Sequence, residues 1–146
     1  MGKNIILEEE VEAQNFERGG EVSSLLKTLL TRLNIEPEII RISSIITYEL
    51  EMNIIIHSRG GKIKVSAEKE KLQINAIDQG PGIENINRAL QPGFSTADQD
   101  VRELGFGAGM GLNNVDEYSD DLKIYSDGGT TVKSTVFLGR EDEKDV

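Results

Sequence analysis

The chain has 146 residues and a formal net charge of −10, with 37% hydrophobic, 29% charged and 5% aromatic residues, a composition typical of one soluble globular domain with an aliphatic core. It contains no cysteine and one histidine, which excludes disulfides and thiolate metal sites and argues against a histidine-based zinc site. The chain is acidic and has no basic cluster, which disfavours nucleic acids and anionic membranes as partners. The lack of a signal-peptide pattern or of an apolar run of about 18 residues favours a cytoplasmic location.

The first half of the chain predicts a strand, two helices and a hairpin. A strand is expected over residues 4–13, and apolar residues at helical spacing predict a helix over residues 21–33. A second helix is predicted over Pro37–His57, since a proline suits its first turn and glycines follow its end. Residues 62–67 and 72–77 then alternate as two strands of a hairpin.

The second half is richer in glycine. A short helix is predicted over residues 83–90, a long loop over 91–109, and a helix over 110–118. Strands are expected over residues 121–126 and 131–138, paired through an Asp-Gly-Gly turn.

This order of elements predicts a single domain over residues 1–138 and an acidic, disordered tail over residues 139–146. The expected fold class is an α/β (α+β) two-layer sandwich, in which helices cover one face of a mixed, mainly antiparallel sheet.

Two polar side chains lie on the apolar face of the second predicted helix. At about 100° per residue, Glu49 and Asn53 fall on the same stripe as Ile46. Glu51, by contrast, is expected to point to solvent. One interpretation is a pocket edge, where the Asn53 amide oxygen coordinates a hard cation and Glu49 acts as a base. The other is a polar pair at the rim of the core, satisfied by water or by the backbone.

A glycine turn follows the predicted strand that ends near Asp78, with the sequence Asp-Gln-Gly-Pro-Gly over residues 78–82. Glycines let the backbone approach a ligand closely, and the Asp78 carboxylate is suited to accept a hydrogen bond from an exocyclic amine. An ordinary turn capped by aspartate remains the alternative. Thr130, at the start of the last strand, is expected to support Asp78 through its hydroxyl if the two strands are neighbours.

Four alternating glycines over residues 105–111 lead into the helix predicted over residues 110–118. Backbone N–H groups beside a helix N-terminus favour phosphate binding. The segment does not match the Walker A motif, because no Gly-Lys-Ser/Thr follows it. It does not match the dinucleotide-binding motif either, because its glycines have a different spacing. A flexible loop is the alternative interpretation.

The order of these elements resembles the GHKL ATPases, the Bergerat-fold superfamily of histidine kinases, gyrase and Hsp90-type chaperones. The N box matches residues 49–53, the G1 box residues 78–82, the G2 box residues 105–111, and the terminal Gly-Thr pair residues 129–130. Over residues 37–138 the chain is similar to the bacterial anti-sigma-factor serine kinases and the switch kinases of stressosomes.

The resemblance implies a histidine-kinase-like ATPase fold that binds ATP and Mg²⁺, and it implies roles for the matching residues. Glu49 would be the general base, Asn53 would ligate Mg²⁺, and Asp78 would bind the adenine amine with help from Thr130. The glycines expected to line the nucleotide and to form its lid are Gly80, Gly82, Gly105, Gly107, Gly109 and Gly111.

The implied function is a Mg-ATP-dependent serine/threonine protein kinase of an anti-sigma or partner-switching pathway, which phosphorylates a STAS-domain antagonist protein. A sigma factor or a phosphatase would be a further partner, and related kinases imply a homodimer. The alternative is a non-catalytic regulator that binds nucleotide and sequesters a sigma factor or activates a phosphatase. A detached catalytic domain of a two-component kinase is disfavoured, because His57 lies within the N box helix and is a poor phosphoacceptor.

Overall fold

An antiparallel sheet of five strands forms one layer of the protein in the computed structural model, which describes residues 4–80, 111–126 and 129–139. The strands lie in the order β1-β2-β3-β5-β4. Their bounds are Asn4–Val11 for β1, Gly61–Glu68 for β2, Lys71–Asp78 for β3, Asp121–Ser126 for β4 and Thr130–Phe137 for β5.

All four pairings between these strands are antiparallel, where a mixed, mainly antiparallel sheet was expected. The reason is the position of β4. This strand runs parallel to β3, but it pairs with the far side of β5 and therefore never contacts β3. The two-layer sandwich itself is confirmed.

Three α-helices in the described ranges pack on one face of the sheet. They are α1 over Glu21–Arg32, α2 over Pro37–His57 and α3 over Gly111–Tyr118, and a 3₁₀ turn over Phe16–Arg18 precedes α1. The proline at the start of α2 suits the first helical position, where its missing N–H leaves no hydrogen bond unmade. The bounds predicted for α2 are confirmed, whereas the 3₁₀ turn was not predicted.

The core lies between α2 and the three central strands and is almost entirely aliphatic. Along β3 a buried side chain alternates with a more exposed one, because successive strand residues point to opposite faces. The pattern in β2 and β5 is similar, except that Ser66 and Thr135 are also buried. Residues with almost no exposed surface include Leu26, Leu30, Ile46, Leu50, Ile55, Ile63, Val65, Leu72, Ile74, Val115 and Val136.

The solvent-facing position expected for Glu51 is wrong. Its side chain is buried at 2% exposure, and its two carboxylate oxygens accept the backbone N–H groups of Val22 at 3.1 Å and Ser23 at 3.3 Å. The residue before α1, Gly20, has no side chain to cap that helix. Glu51 therefore supplies the missing cap from the neighbouring helix, on the side of α2 that α1 covers.

The helix predicted over residues 83–90, the loop predicted over 91–109 and the acidic tail beyond residue 139 lie outside the described residues. None of the helices in the described part of the chain is long and apolar enough to cross a membrane.

Candidate nucleotide site

Asp78 ends β3 and organises the turn that follows it. By strand alternation its side chain points to the same side of the sheet as the buried Ile74 and Ala76, which is the side that the helices cover. Its Oδ1 atom accepts the backbone N–H of Gly80 at 2.8 Å and that of Thr130 at 2.9 Å. No hydrogen bond to another described residue involves Oδ2, so this oxygen is placed to accept a donor from a ligand.

The backbone approaches Asp78 so closely that two neighbouring glycines are required. Gly80 has a φ of 107°, a conformation that side chains with a Cβ rarely adopt. A Cβ on Gly129 would lie 2.5 Å from the Asp78 carbonyl oxygen, closer than any real contact. The turn and the start of β5 therefore close around the aspartate only because both residues lack a side chain.

Thr130 lies beside Asp78, as expected from the sequence, but its contact differs from the prediction. The backbone N–H of Thr130, rather than its hydroxyl, bonds to the carboxylate. The residue is 4% exposed, and its Oγ1 is buried without a hydrogen-bond partner among the described residues. A buried unpaired hydroxyl is costly, so this atom is suited to a ligand or to an ordered water.

The end of α2 is joined to the Asp78 turn by two backbone hydrogen bonds. The N–H of Arg59 donates to the carbonyl of Gly80 at 2.9 Å, and the N–H of Gln79 donates to the carbonyl of Gly60 at 2.9 Å. Because α2 ends at His57, these bonds hold the turn against the helix that carries the other candidate residues.

Glu49 lies half-buried on α2, on the face predicted from its spacing. Burial raises the pKa of its carboxyl above the ordinary value, and a hydrogen bond from the Asn114 side-chain amide, 3.3 Å from Oε2, opposes that rise. A carboxylate with a raised pKa accepts a proton more readily near neutral pH. Asn114 lies on α3 and was not singled out from the sequence.

Asn53 lies one helical turn after Glu49 and is also half-buried. Its side-chain amide makes no hydrogen bond to another described residue, which leaves its oxygen available to a cation. In the described part of the chain no three acidic or histidine side chains form a metal cluster. A Mg²⁺ ion held by one protein oxygen, with phosphates and waters completing its shell, needs no such cluster.

The structure therefore brings the predicted residues into two groups: Glu49 and Asn53 on α2, and Asp78, Gly80 and Thr130 at the end of the sheet. Gly111 is the first residue of α3. The remaining predicted glycines, at positions 82, 105, 107 and 109, lie outside the described residues.

A cleft of about 610 Å³ lies between β1 and α1, with Glu51 among its lining residues. It borders the side of α2 opposite to Glu49. Its lining contains five glutamates but only one basic residue, Arg18, whose guanidinium is paired with Glu21, so the cleft is acidic and would repel nucleotide phosphates. The cleft is therefore separate from the candidate nucleotide site.

Comparison with known proteins identifies the family of the chain. Residues 41–140 match the family described as Histidine kinase-, DNA gyrase B-, and HSP90-like ATPase. An anti-sigma F factor of Thermoanaerobacter sp. (strain X514) is 32% identical over 138 residues, which cover 87% of this chain and 93% of that protein. The serine/threonine-protein kinase RsbT of Bacillus subtilis (strain 168) is 34% identical over 85 residues, covering 56% of this chain and 58% of that protein.

The fold also matches a solved structure. A chain in the crystal structure of the SiaB–SiaC complex from Pseudomonas aeruginosa superposes with a TM-score of 0.59 and 12% identity, over 91% of this chain and 90% of that one. This likeness supports the fold alone. The family match and the relatives together establish that the chain belongs to the histidine kinase-, DNA gyrase B- and HSP90-like ATPases, an ATP-binding family, and within it to the anti-sigma-factor serine kinases.

Proposed function

We propose that this chain uses Mg-ATP to phosphorylate a serine or threonine on a STAS-domain antagonist protein, as part of an anti-sigma or partner-switching pathway. The observation that carries the proposal is the pairing of a half-buried glutamate of raised pKa, Glu49, with a nucleotide turn built around Asp78. The similarity to anti-sigma F factors and to a serine/threonine-protein kinase supports the choice of reaction.

The adenine base is assigned to Asp78 and Thr130. Asp78 Oδ1 is already occupied by two backbone N–H groups, so Oδ2 accepts the exocyclic amine of the base. The unpaired hydroxyl of Thr130 supplies a second polar contact. Gly80 lets the backbone pass close to the base because its positive φ suits a residue without a Cβ.

The phosphates and the metal are assigned to Asn53 and to the glycine-rich segment. Asn53 supplies one oxygen ligand to Mg²⁺, which neutralises phosphate charge when it is bound. The lid assignment of Gly105, Gly107, Gly109 and Gly111, and the lining role of Gly82, rest on the sequence motifs.

Glu49 is assigned as the base for the acceptor hydroxyl. In the transfer step the hydroxyl oxygen bonds to the γ-phosphorus, the bond from that phosphorus to the β–γ bridging oxygen breaks, and the hydroxyl proton passes to Glu49. ADP is the leaving group. Most of the rate enhancement in such reactions comes from positioning and charge neutralisation, so the base contributes a part of the catalysis.

Titration calorimetry with ATP and ADP, with and without Mg²⁺, tests the nucleotide site. Asp78→Asn is the matched variant, since asparagine keeps an Oδ1 acceptor for Gly80 and Thr130 but replaces the second oxygen by a donor. We expect a folded variant whose ATP affinity falls about 100-fold or more, because an N–H group then faces the amine of the base. Unchanged affinity would contradict the adenine assignment.

Transfer of labelled γ-phosphate to purified STAS-domain proteins tests the reaction. Glu49→Gln is expected to bind Mg-ATP as the unaltered protein does and to transfer phosphate about 100-fold more slowly. Nucleotide-dependent binding of a STAS-domain protein without any phosphate transfer by the unaltered chain would favour the non-catalytic regulator instead.

A further inference from the structure

The sheet face opposite the helices, here called the outer face, is not covered by any described helix. Side chains on this face come from the alternate strand positions that leave the core. On β4 they are the exposed Asp121, Lys123 and Tyr125, and on β5 they include the exposed Lys133 and Phe137.

Three lysines on the outer face lie in a single line across the strands. The register pairs Lys64 with Asn75, Asn75 with Lys133, and Lys133 with Lys123. Because neighbouring strands are about 4.8 Å apart, the line from Lys64 to Lys123 spans about 14 Å. Lys64, Lys133 and Lys123 are called the lysine row below.

The lysine row carries no ion pair within the described residues, although acids are abundant in this chain. The ion pairs of the sheet use other lysines: Lys62 with Glu8 at 3.3 Å, and Lys71 with Glu68 at 3.7 Å. Glu8 lies directly opposite Lys64 in the register, yet its carboxylate pairs with Lys62. None of the three ammonium groups of the row is therefore held in an ion pair by a described carboxylate.

Two of these lysines repel each other. Lys123 and Lys133 are directly opposite across β4 and β5, and like charges in that position destabilise a sheet. Two opposed lysines are unexpected in a chain of net charge −10, in which acidic residues outnumber basic ones by 26 to 16. An anionic group bound above the row would relieve the repulsion.

One exposed aromatic side chain lies beside the lysine row, and a second lies on the same face, four residues along β5 from Lys133. Tyr125 is 53% exposed and Phe137 is 43% exposed, and the ammonium of Lys133 lies 5.8 Å from the centre of the Tyr125 ring. Exposed aromatic surface beside unpaired cations is typical of a protein-binding face rather than of a face that only contacts water.

We propose that the outer face binds an acidic segment of a partner protein, with carboxylates paired to the lysine row and apolar side chains against Tyr125. Charge complementarity selects an anionic partner. A protein segment fits better than a nucleic acid, because it can confine its carboxylates to the row and place apolar side chains against the exposed Tyr125. A continuous phosphate backbone would also pass Glu8, Glu10 and Asp121 at the two sides of the sheet, which would repel it. Asp78 points to the opposite side of the sheet, so this inference does not depend on the proposed kinase function.

The test is titration of the isotopically labelled chain with an oligo-glutamate peptide of 12 residues, followed by amide chemical shifts in NMR spectra at low and high salt. The test variant is Lys64→Glu/Lys123→Glu/Lys133→Glu. Its matched control, Lys27→Glu/Arg32→Glu/Lys69→Glu, makes the same change in net charge at three exposed positions elsewhere. Thermal unfolding and ATP calorimetry check that both variants fold.

We expect salt-sensitive shifts on β2, β3, β5 and β4, with the peptide affinity reduced about tenfold or more by the test variant and about twofold or less by the control. Equal loss in both variants, shifts centred elsewhere, or no shift at millimolar peptide would overturn the proposal. A 12-nucleotide oligo(U) is titrated in the same way as a comparison ligand. If it binds the outer face more tightly than the peptide, a nucleic acid replaces the acidic protein segment as the partner.

Discussion

The side-chain amide of Asn114 donates a hydrogen bond of 3.3 Å to Oε2 of Glu49, which links the helix of the proposed base to the helix that follows the glycine-rich segment. The two residues are 65 positions apart in the chain. Because this bond lowers the pKa of Glu49 while burial raises it, the position of α3 helps to set how readily the proposed base accepts a proton.

Substitution of Asn114 is expected to move the acidic limb of the kcat profile to higher pH. In Asn114→Ala the hydrogen bond that lowers the pKa of Glu49 is lost, so the carboxylate stays protonated to a higher pH. Asn114→Asp should move the limb further, since a second carboxylate then lies beside the first. The pH dependence of phosphate transfer, measured at saturating Mg-ATP, gives the order of the three proteins. A uniform drop in rate with an unmoved limb would mean that Asn114 only positions α3.

Glu49→Gln is expected to make the folded protein more stable at neutral pH. The pKa of Glu49 is raised in the folded state, so its contribution to stability is fully present below the ordinary pKa of about 4.3 and is lost as the pH rises through the folded-state value. Glutamine does not titrate, so the stability of the variant does not fall in this way as the pH rises. Urea unfolding of both proteins from pH 4 to pH 8 should show a difference that grows with pH in favour of the variant. A difference that shrinks with pH would contradict the sign of the shift.

Glu51→Ala and Glu49→Ala form a matched pair two residues apart on α2. We expect Glu51→Ala to destabilise the protein much more than Glu49→Ala does. Removal of Glu51 leaves the N–H groups of Val22 and Ser23 without their acceptor and should cost about 2–4 kcal/mol of unfolding free energy. Removal of Glu49 frees only the Asn114 amide and should cost less than about 1 kcal/mol. Urea unfolding at pH 7 measures both. Similar costs would mean that Glu51 is not an essential cap for α1.

The candidate site could be predicted largely because its signals are local in the sequence. The stripe on α2 that placed Glu49 and Asn53 depends only on 3.6-residue periodicity, and the structure gives α2 the predicted bounds. The turn at Asp78 follows a strand in which apolar and polar residues alternate from Leu72 onward. Both features need no knowledge of what packs around them.

The contacts that were missed all join residues distant in the chain. Glu51 looked exposed because the periodicity of one helix cannot reveal a second helix on its other side, and its partner Val22 is 29 residues away. Asn114 sits in a short helix whose face toward α2 is fixed only by tertiary packing. The bond between Asp78 and the Thr130 N–H depends on β5, not β4, lying beside β3, an order that the alternation of single strands does not contain.

Thr130→Val is expected to stabilise the protein while weakening ATP binding. Its buried Oγ1 has no partner in the described structure, so an isosteric methyl group removes an unpaired polar atom and should add about 1 kcal/mol of stability. If the hydroxyl contacts the nucleotide, the ATP dissociation constant should rise about five- to tenfold. Ser66→Ala is the control, since Ser66 Oγ is likewise buried and unpaired but lies on the outer face. Equal ATP affinity in the unaltered protein, Thr130→Val and Ser66→Ala would show that the Thr130 hydroxyl does not contact the nucleotide.

Lys123→Glu is expected to stabilise the sheet by about 0.5 kcal/mol at low salt, because it converts the repulsive pair with Lys133 into an attractive one. Lys123→Gln, which only removes the repulsion, should fall between that variant and the unaltered protein. The gain should shrink as salt screens the exposed charges, and it should reverse in Lys123→Glu/Lys133→Glu, where two carboxylates face each other. Thermal unfolding of this set, with the single variant Lys133→Glu added, forms a double-mutant cycle. Additive effects would show that Lys123 and Lys133 do not interact. The lysine row would then not destabilise the sheet.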